Sequence, residues 1–119
     1  MKNNILAEKS FDFALRIVNL YKYLYTDKKE FVISKQLLRS GTSVGATVSE
    51  SEYSESKADF IHKLAIGQKE INESIYWIRL LHKSNYLTDS EFESIYSNAD
   101  ELLRLLTSSI KTAKANLIK

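Results

Sequence analysis

His62 and His82 are the only histidines of the chain, and with the acidic residues near them they are its best candidates for metal chemistry. Asp59 and His62 stand three apart, a spacing that puts both on one face of a helix. A di-metal site in a helical bundle needs two Glu-x-x-His pairs and two further carboxylates, however, and Asp59-x-x-His62 is the only acid-x-x-His pair. No metal site is expected. Gly41-x-x-x-Gly45 lacks the Gly-Lys-Ser/Thr that completes a phosphate loop, so close contact between helices explains its glycines better. Glu50, Glu52, Glu55 and Asp59 lie beside a loop, where a run of charge reads as a solvated face. Absence of cysteine removes thiolate catalysis and thiolate metal sites, and no other nucleophile has an evident neighbouring base. The residues therefore point to a protein that is not an enzyme and needs no cofactor.

The elements that would position these side chains are all helical. Proline is absent, there are only three glycines, and hydrophobic residues at 44% against charged residues at 27% suit helices with one apolar and one solvated face. One domain spanning residues 1–119 is expected, built from helices at about 10–25, 32–53, 57–84 and 89–117. In the first, with Ser10 as its N-cap, Phe11, Ala14, Val18, Tyr21 and Tyr25 form one apolar stripe. Phe13, Ile17, Leu20 and Leu24 form a second about 100° away. Two stripes exceed what a small monomeric bundle buries, so one is assigned to a second subunit.

The second helix is ambiguous on local rules. Thr42, Val44, Ala46 and Val48 alternate as in a strand, while Gly41 and Gly45 share a helix ridge. Helix is preferred, because no other segment could pair with a lone strand. Each interior glycine then costs about 1 kcal/mol relative to alanine, which close packing must offset. Ser56 with Asp59 caps the third helix, where Tyr76, Trp77 and Leu80 fill faces outside the main stripe and again suggest contact with other copies. Thr88-Asp89-Ser90-Glu91 is a capping box that starts the fourth. Four helices with short loops give an all-α, antiparallel up-down-up-down four-helix bundle, with Ile17, Leu20, Leu24, Gly41, Gly45, Tyr76, Trp77 and Leu80 as candidates for close packing or subunit contact.

The order and spacing of several short motifs also resemble a known family. They are Leu37-Leu38-Arg39-Ser40-Gly41-Thr42-Ser43-Val44-Gly45-Ala46, then Glu50, then Ser56 through Leu64, then Lys69-Glu70, Glu73 and Tyr76-Trp77. The chain resembles the bacterial four-helix-bundle proteins encoded in intervening sequences of ribosomal RNA genes, relatives of the accessory protein of diversity-generating retroelements. The resemblance implies a ring-shaped homo-oligomer, a homopentamer. For the retroelement branch it also implies binding of nucleic acid and of a reverse transcriptase. Thr47 stands where an asparagine is common, and Ser49 and Ser51 replace the usual neighbours of Glu50, so a role resting on that amide does not carry over.

Charge distribution makes the nucleic-acid reading concrete. Net charge is only +2, but residues 1–39 hold eight Lys or Arg against four Asp or Glu. In the expected topology Lys28, Lys29, Lys35, Arg39, Arg79 and Lys83 gather at one bundle end, against Asp27, Glu30, Asp89 and Glu91. Such an end could hold RNA or DNA phosphates without reading bases. The alternative is a protein-interaction scaffold, with Tyr23, Tyr53 and Tyr86 as contacts. No apolar run approaches membrane-spanning length, and a cytoplasmic location is expected.

Overall fold

In the computed structural model, which describes residues 5–118, four α-helices follow one another: α1 (Ile5–Thr26), α2 (Ile33–Ser51), α3 (Lys57–Lys83) and α4 (Asp89–Ile118). No strand occurs among the described residues, so the alternation across Thr42 to Val48 is not a strand signal. Helices of up to 30 residues account for an elongated body of 51 × 21 × 21 Å, because each residue adds about 1.5 Å of rise. α1 packs on α2, α2 on α3 and α3 on α4, while the α1–α4 seam is slighter.

The core is a column of aliphatic side chains. Ile17 and Leu24 of α1, Leu37 and Val44 of α2, Leu64, Ile71 and Ile78 of α3, and Leu102 and Leu106 of α4 are almost fully buried. These positions recur two turns or one turn apart along each helix, as residues on one face must. Buried hydroxyls are satisfied locally or across helices: Ser40 and Ser74 meet at 2.8 Å, and Ser74 also donates to the Glu70 carbonyl. The α1–α2 contact is tightest. A methyl group at Gly41 would lie 2.8 Å from Ile17 Cγ1, and one at Gly45 would lie 3.1 Å from the Ser10 carbonyl oxygen.

The starts of α2, α3 and α4 and the end of α3 have local causes. α1 starts at Ile5, ahead of Ser10, which is buried mid-helix and donates to the Ala7 carbonyl instead of capping. The entry to α2 is fixed by Glu30, whose carboxylate accepts the amides of Val32, Ile33 and Ser34 at 3.1, 2.9 and 2.6 Å. Ser34 Oγ returns a bond to the Glu30 carbonyl at 2.8 Å. For α3, Ser56 Oγ accepts the Asp59 amide at 3.0 Å, and Asp59 accepts the Glu55 amide. α4 opens with the reciprocal box, the Glu91 amide donating to Thr88 Oγ1 and the Thr88 amide to Glu91 Oε1. α3 closes with left-handed Asn85 (φ 70°), and the Tyr86 amide bonds the Leu81 carbonyl in a Schellman arrangement.

Candidate functional site

The histidines are occupied by structure or left at the surface. His82 Nε2 stands 2.7 Å from Asp89 Oδ1, and its ring stacks on Phe92 at 4.2 Å, tying the end of α3 to the start of α4. His62 is exposed on α3, and its neighbour Asp59 is engaged by Lys63 at 3.0 Å. Among the described residues no group of three His, Cys, Asp or Glu side chains could hold a metal ion. A groove of about 510 Å³ lies between Leu6, Val48, Phe60, Leu105 and Ala113, with Glu52 and Lys57 also in its lining. No buried side-chain polar atom is left without a partner among the described residues.

The basic cluster expected from the sequence is only partly intact. Arg39 is engaged by Glu70 and Glu73 of α3 through hydrogen-bonded ion pairs. The hydrogen bond from Arg39, with a second from Trp77 Nε1, holds the Glu73 carboxyl below the usual glutamate range, and Glu73 in turn pushes the Arg39 guanidinium up. Arg39 thus belongs to the α2–α3 contact and its charge is neutralised. Glu30, counted among the opposing acids, turns inward as the α2 cap and is only 6% exposed. Burial acts to raise its pKa, but the amides of Ile33, Ser34 and Val32 outweigh that and leave it lowered. Lys28, Lys29 and Lys35 stay exposed, Lys28 Nζ lying 5.8 Å from the Tyr23 ring centre. Arg79 and Lys83 are exposed on α3, and neither forms an ion pair among the described residues.

The candidates for close packing divide by burial. Ile17 and Leu24 are buried inside the chain itself and offer no surface to a second copy; Leu20 is half-buried. The apolar surface left over on α1 is the other stripe, widened by Leu15. Phe11 is 65% and Leu15 53% exposed, Val18 and Tyr21 are half-buried, and Tyr25 packs edge-on against exposed Phe31 at 4.7 Å. Only Lys22 interrupts the series. Gly41 is buried and Gly45 half-buried against α1, so their close contact is made within the chain. On α3, Trp77 and Leu80 are half-buried and Tyr76 is exposed.

A family model matches residues 2–108, that of the 23S rRNA-intervening sequence protein. The chain belongs to this family. A solved relative of this intervening sequence protein is described as a protein with unknown function from the S23 ribosomal protein family, from Bacteroides thetaiotaomicron VPI-5482. It is 52% identical, covers 90% of this chain and 99% of its own, and superposes with a TM-score of 0.89. No curated protein matched the intervening sequence protein. No helix among its described residues is long and apolar enough to cross a membrane.

Proposed function

We propose that this intervening sequence protein is a non-enzymatic, homo-oligomeric accessory protein of the cytoplasm. It joins copies through the exposed apolar stripe of α1 and holds nucleic acid on the basic α1–α2 loop end and on the exposed face of α3. The helices run up-down-up-down, each antiparallel to the next. Support comes from contact pairs whose numbers fall on one helix as they rise on the other: Gly41 with Ile17 and Gly45 with Ser10 between α1 and α2, Gln68 with Thr107 and His82 with Asp89 between α3 and α4, and Lys9 with Glu101 and Arg16 with Ser94 between α1 and α4. In such a square bundle the α1–α2 face and the α3–α4 face lie on opposite sides.

The observation that carries the reading is the stripe of exposed Phe11, Leu15 and Tyr25 with half-buried Val18, continued by Phe31. Contiguous apolar surface of this kind on a small chain marks an interaction site. A ring of five copies is the assembly that the family resemblance implies, and head-to-tail contacts close into such a ring when the rotation permits. For nucleic acid the support is the exposed lysines Lys28, Lys29 and Lys35 at one end, with Arg79 and Lys83 on α3. A reverse transcriptase is a further partner implied by the resemblance alone.

Anisotropy of labelled duplex DNA, structured RNA and an RNA–DNA hybrid, at about 50 and about 200 mM salt, tests the nucleic-acid half. Micromolar or tighter binding that falls steeply with salt is expected. Salt-insensitive binding of a protein instead would favour a scaffold, a reading to which Tyr53, 83% exposed in the loop between α2 and α3, gives its one specific contact.

A further inference from the structure

Five residues of α3, Lys69, Asn72, Tyr76, Arg79 and Lys83, repeat at three- and four-residue spacing, and all five are exposed. At 100° per residue they fall within a strip about 80° wide and about 21 Å long. The strip points away from α2, which α3 meets through Glu70, Glu73 and Ser74, and borders α4, which it meets through Gln68 and Thr107. Lys69, Arg79 and Lys83 carry three positive charges with no ion pair among the described residues. Glu73, one turn from Lys69, is engaged by Arg39, and Asp100 of α4 by Arg104 at 2.9 Å.

Tyr76 sits in the middle of the strip, 55% exposed, and its orientation is set from behind. Its ring meets Trp77 edge-on at 4.9 Å, and Trp77 Nε1 is itself anchored to Glu73 at 3.0 Å. The chain Arg39, Glu73, Trp77, Tyr76 thus supports an aromatic ring whose remaining surface faces water between cationic side chains. Cationic groups flanking an exposed aromatic platform match a phosphodiester backbone carrying an unpaired base, because every base has a π-face and each phosphate needs a cation. A duplex keeps its bases stacked inside and would use the charges but not the ring.

We propose that the α3 strip is a binding site for single-stranded nucleic acid, with Lys69, Arg79 and Lys83 on phosphates and Tyr76 stacking a base. The assignment rests on the nucleic-acid reading above and gives it a surface and a strandedness.

Trp77 is the only tryptophan in the chain and touches the platform, so its emission reports occupancy directly. Full-length protein is titrated with a labelled twelve-nucleotide oligo(U), oligo(dT) and a duplex of equal length, following anisotropy and Trp77 emission together. Expected are tighter binding of the single strands, a change in Trp77 emission on saturation, and affinity about tenfold or more weaker in Tyr76→Ala but retained in Tyr76→Phe. Lys69→Glu should weaken binding and flatten its salt dependence, with helix content unchanged. If no nucleic acid binds at low salt, the functional reading and this site fall together. If wild-type protein binds but Tyr76→Ala and Lys69→Glu bind equally well and Trp77 emission is unmoved, the strip is overturned while the functional reading stands. Preference for the duplex also overturns it.

Discussion

Gly45 and Ser10 approach so closely that a methyl group on the glycine would stand 3.1 Å from the serine carbonyl oxygen. The obstacle is backbone, in the middle of one helix lying on another, and backbone cannot rotate aside. At Gly67 the situation differs, since a methyl group there would meet Leu106 Cδ2 at an ordinary 3.6 Å.

This difference predicts opposite signs for two substitutions of the same residue type. Gly45→Leu should cost on the order of 1 to 3 kcal/mol or more through overpacking. Gly67→Ala should gain about 0.5 to 1 kcal/mol from helix propensity. Thermal melts of the two variants, at about 3 to 5 °C per kcal/mol, resolve both. An unchanged midpoint for Gly45→Leu would contradict the close contact.

Glu30 makes stability depend on acidity. Its pKa is lowered on folding from 4.5, so its contribution is fully present above that value and is lost as pH falls through the lower folded value. Glu30→Gln should cost about 1 to 3 kcal/mol at pH 7, because a neutral amide accepts the three backbone donors less strongly. The gap to wild type should close in strongly acidic solution. Denaturant melts at pH 7 and about pH 3 measure it, and an equal gap at both values would sink the cap's charge as the cause.

Arg39 and the loop lysines should behave differently towards polyanions. Combined Lys28→Glu, Lys29→Glu and Lys35→Glu should weaken nucleic-acid binding and lower its salt slope. Arg39→Met should leave binding nearly unchanged and cost about 0.5 to 1 kcal/mol of stability, the scale of a half-exposed pair. Salt-dependent anisotropy with parallel melts separates the two. A larger binding loss for Arg39→Met than for the lysine triple would reverse the assignment.

The parts of the fold legible in the sequence are those decided within a few residues. Thr88 with Glu91, and Ser56 with Asp59, bond the amides their spacing foretold, because a capping box is a local device. Glu30 reads locally as loop charge, since its cap works only once left-handed Lys29 turns the chain back. Local sequence groups Arg39 with the basic end because Glu70 and Glu73 lie more than thirty residues away, and only the α2–α3 register brings them near. Both stripes of α1 are apolar, so periodicity alone does not choose between them. What decides between them is where Gly41 docks, and it docks on Ile17, which leaves Phe11 and Leu15 outside. Arg79 and Lys83, which topology groups with the loop end, also share an exposed face of α3 with Lys69 and Tyr76.

The most direct test of the account is the mass of the protein in solution, by sedimentation equilibrium, for wild type and for the double variant Phe11→Glu, Leu15→Glu. Both positions are exposed within one chain, so the variant should fold with unchanged helix content. The account predicts wild-type protein at a whole multiple of the monomer mass and the variant shifted towards the monomer. Wild-type protein that stays monomeric at tens of micromolar, or a variant with undiminished mass, would contradict it.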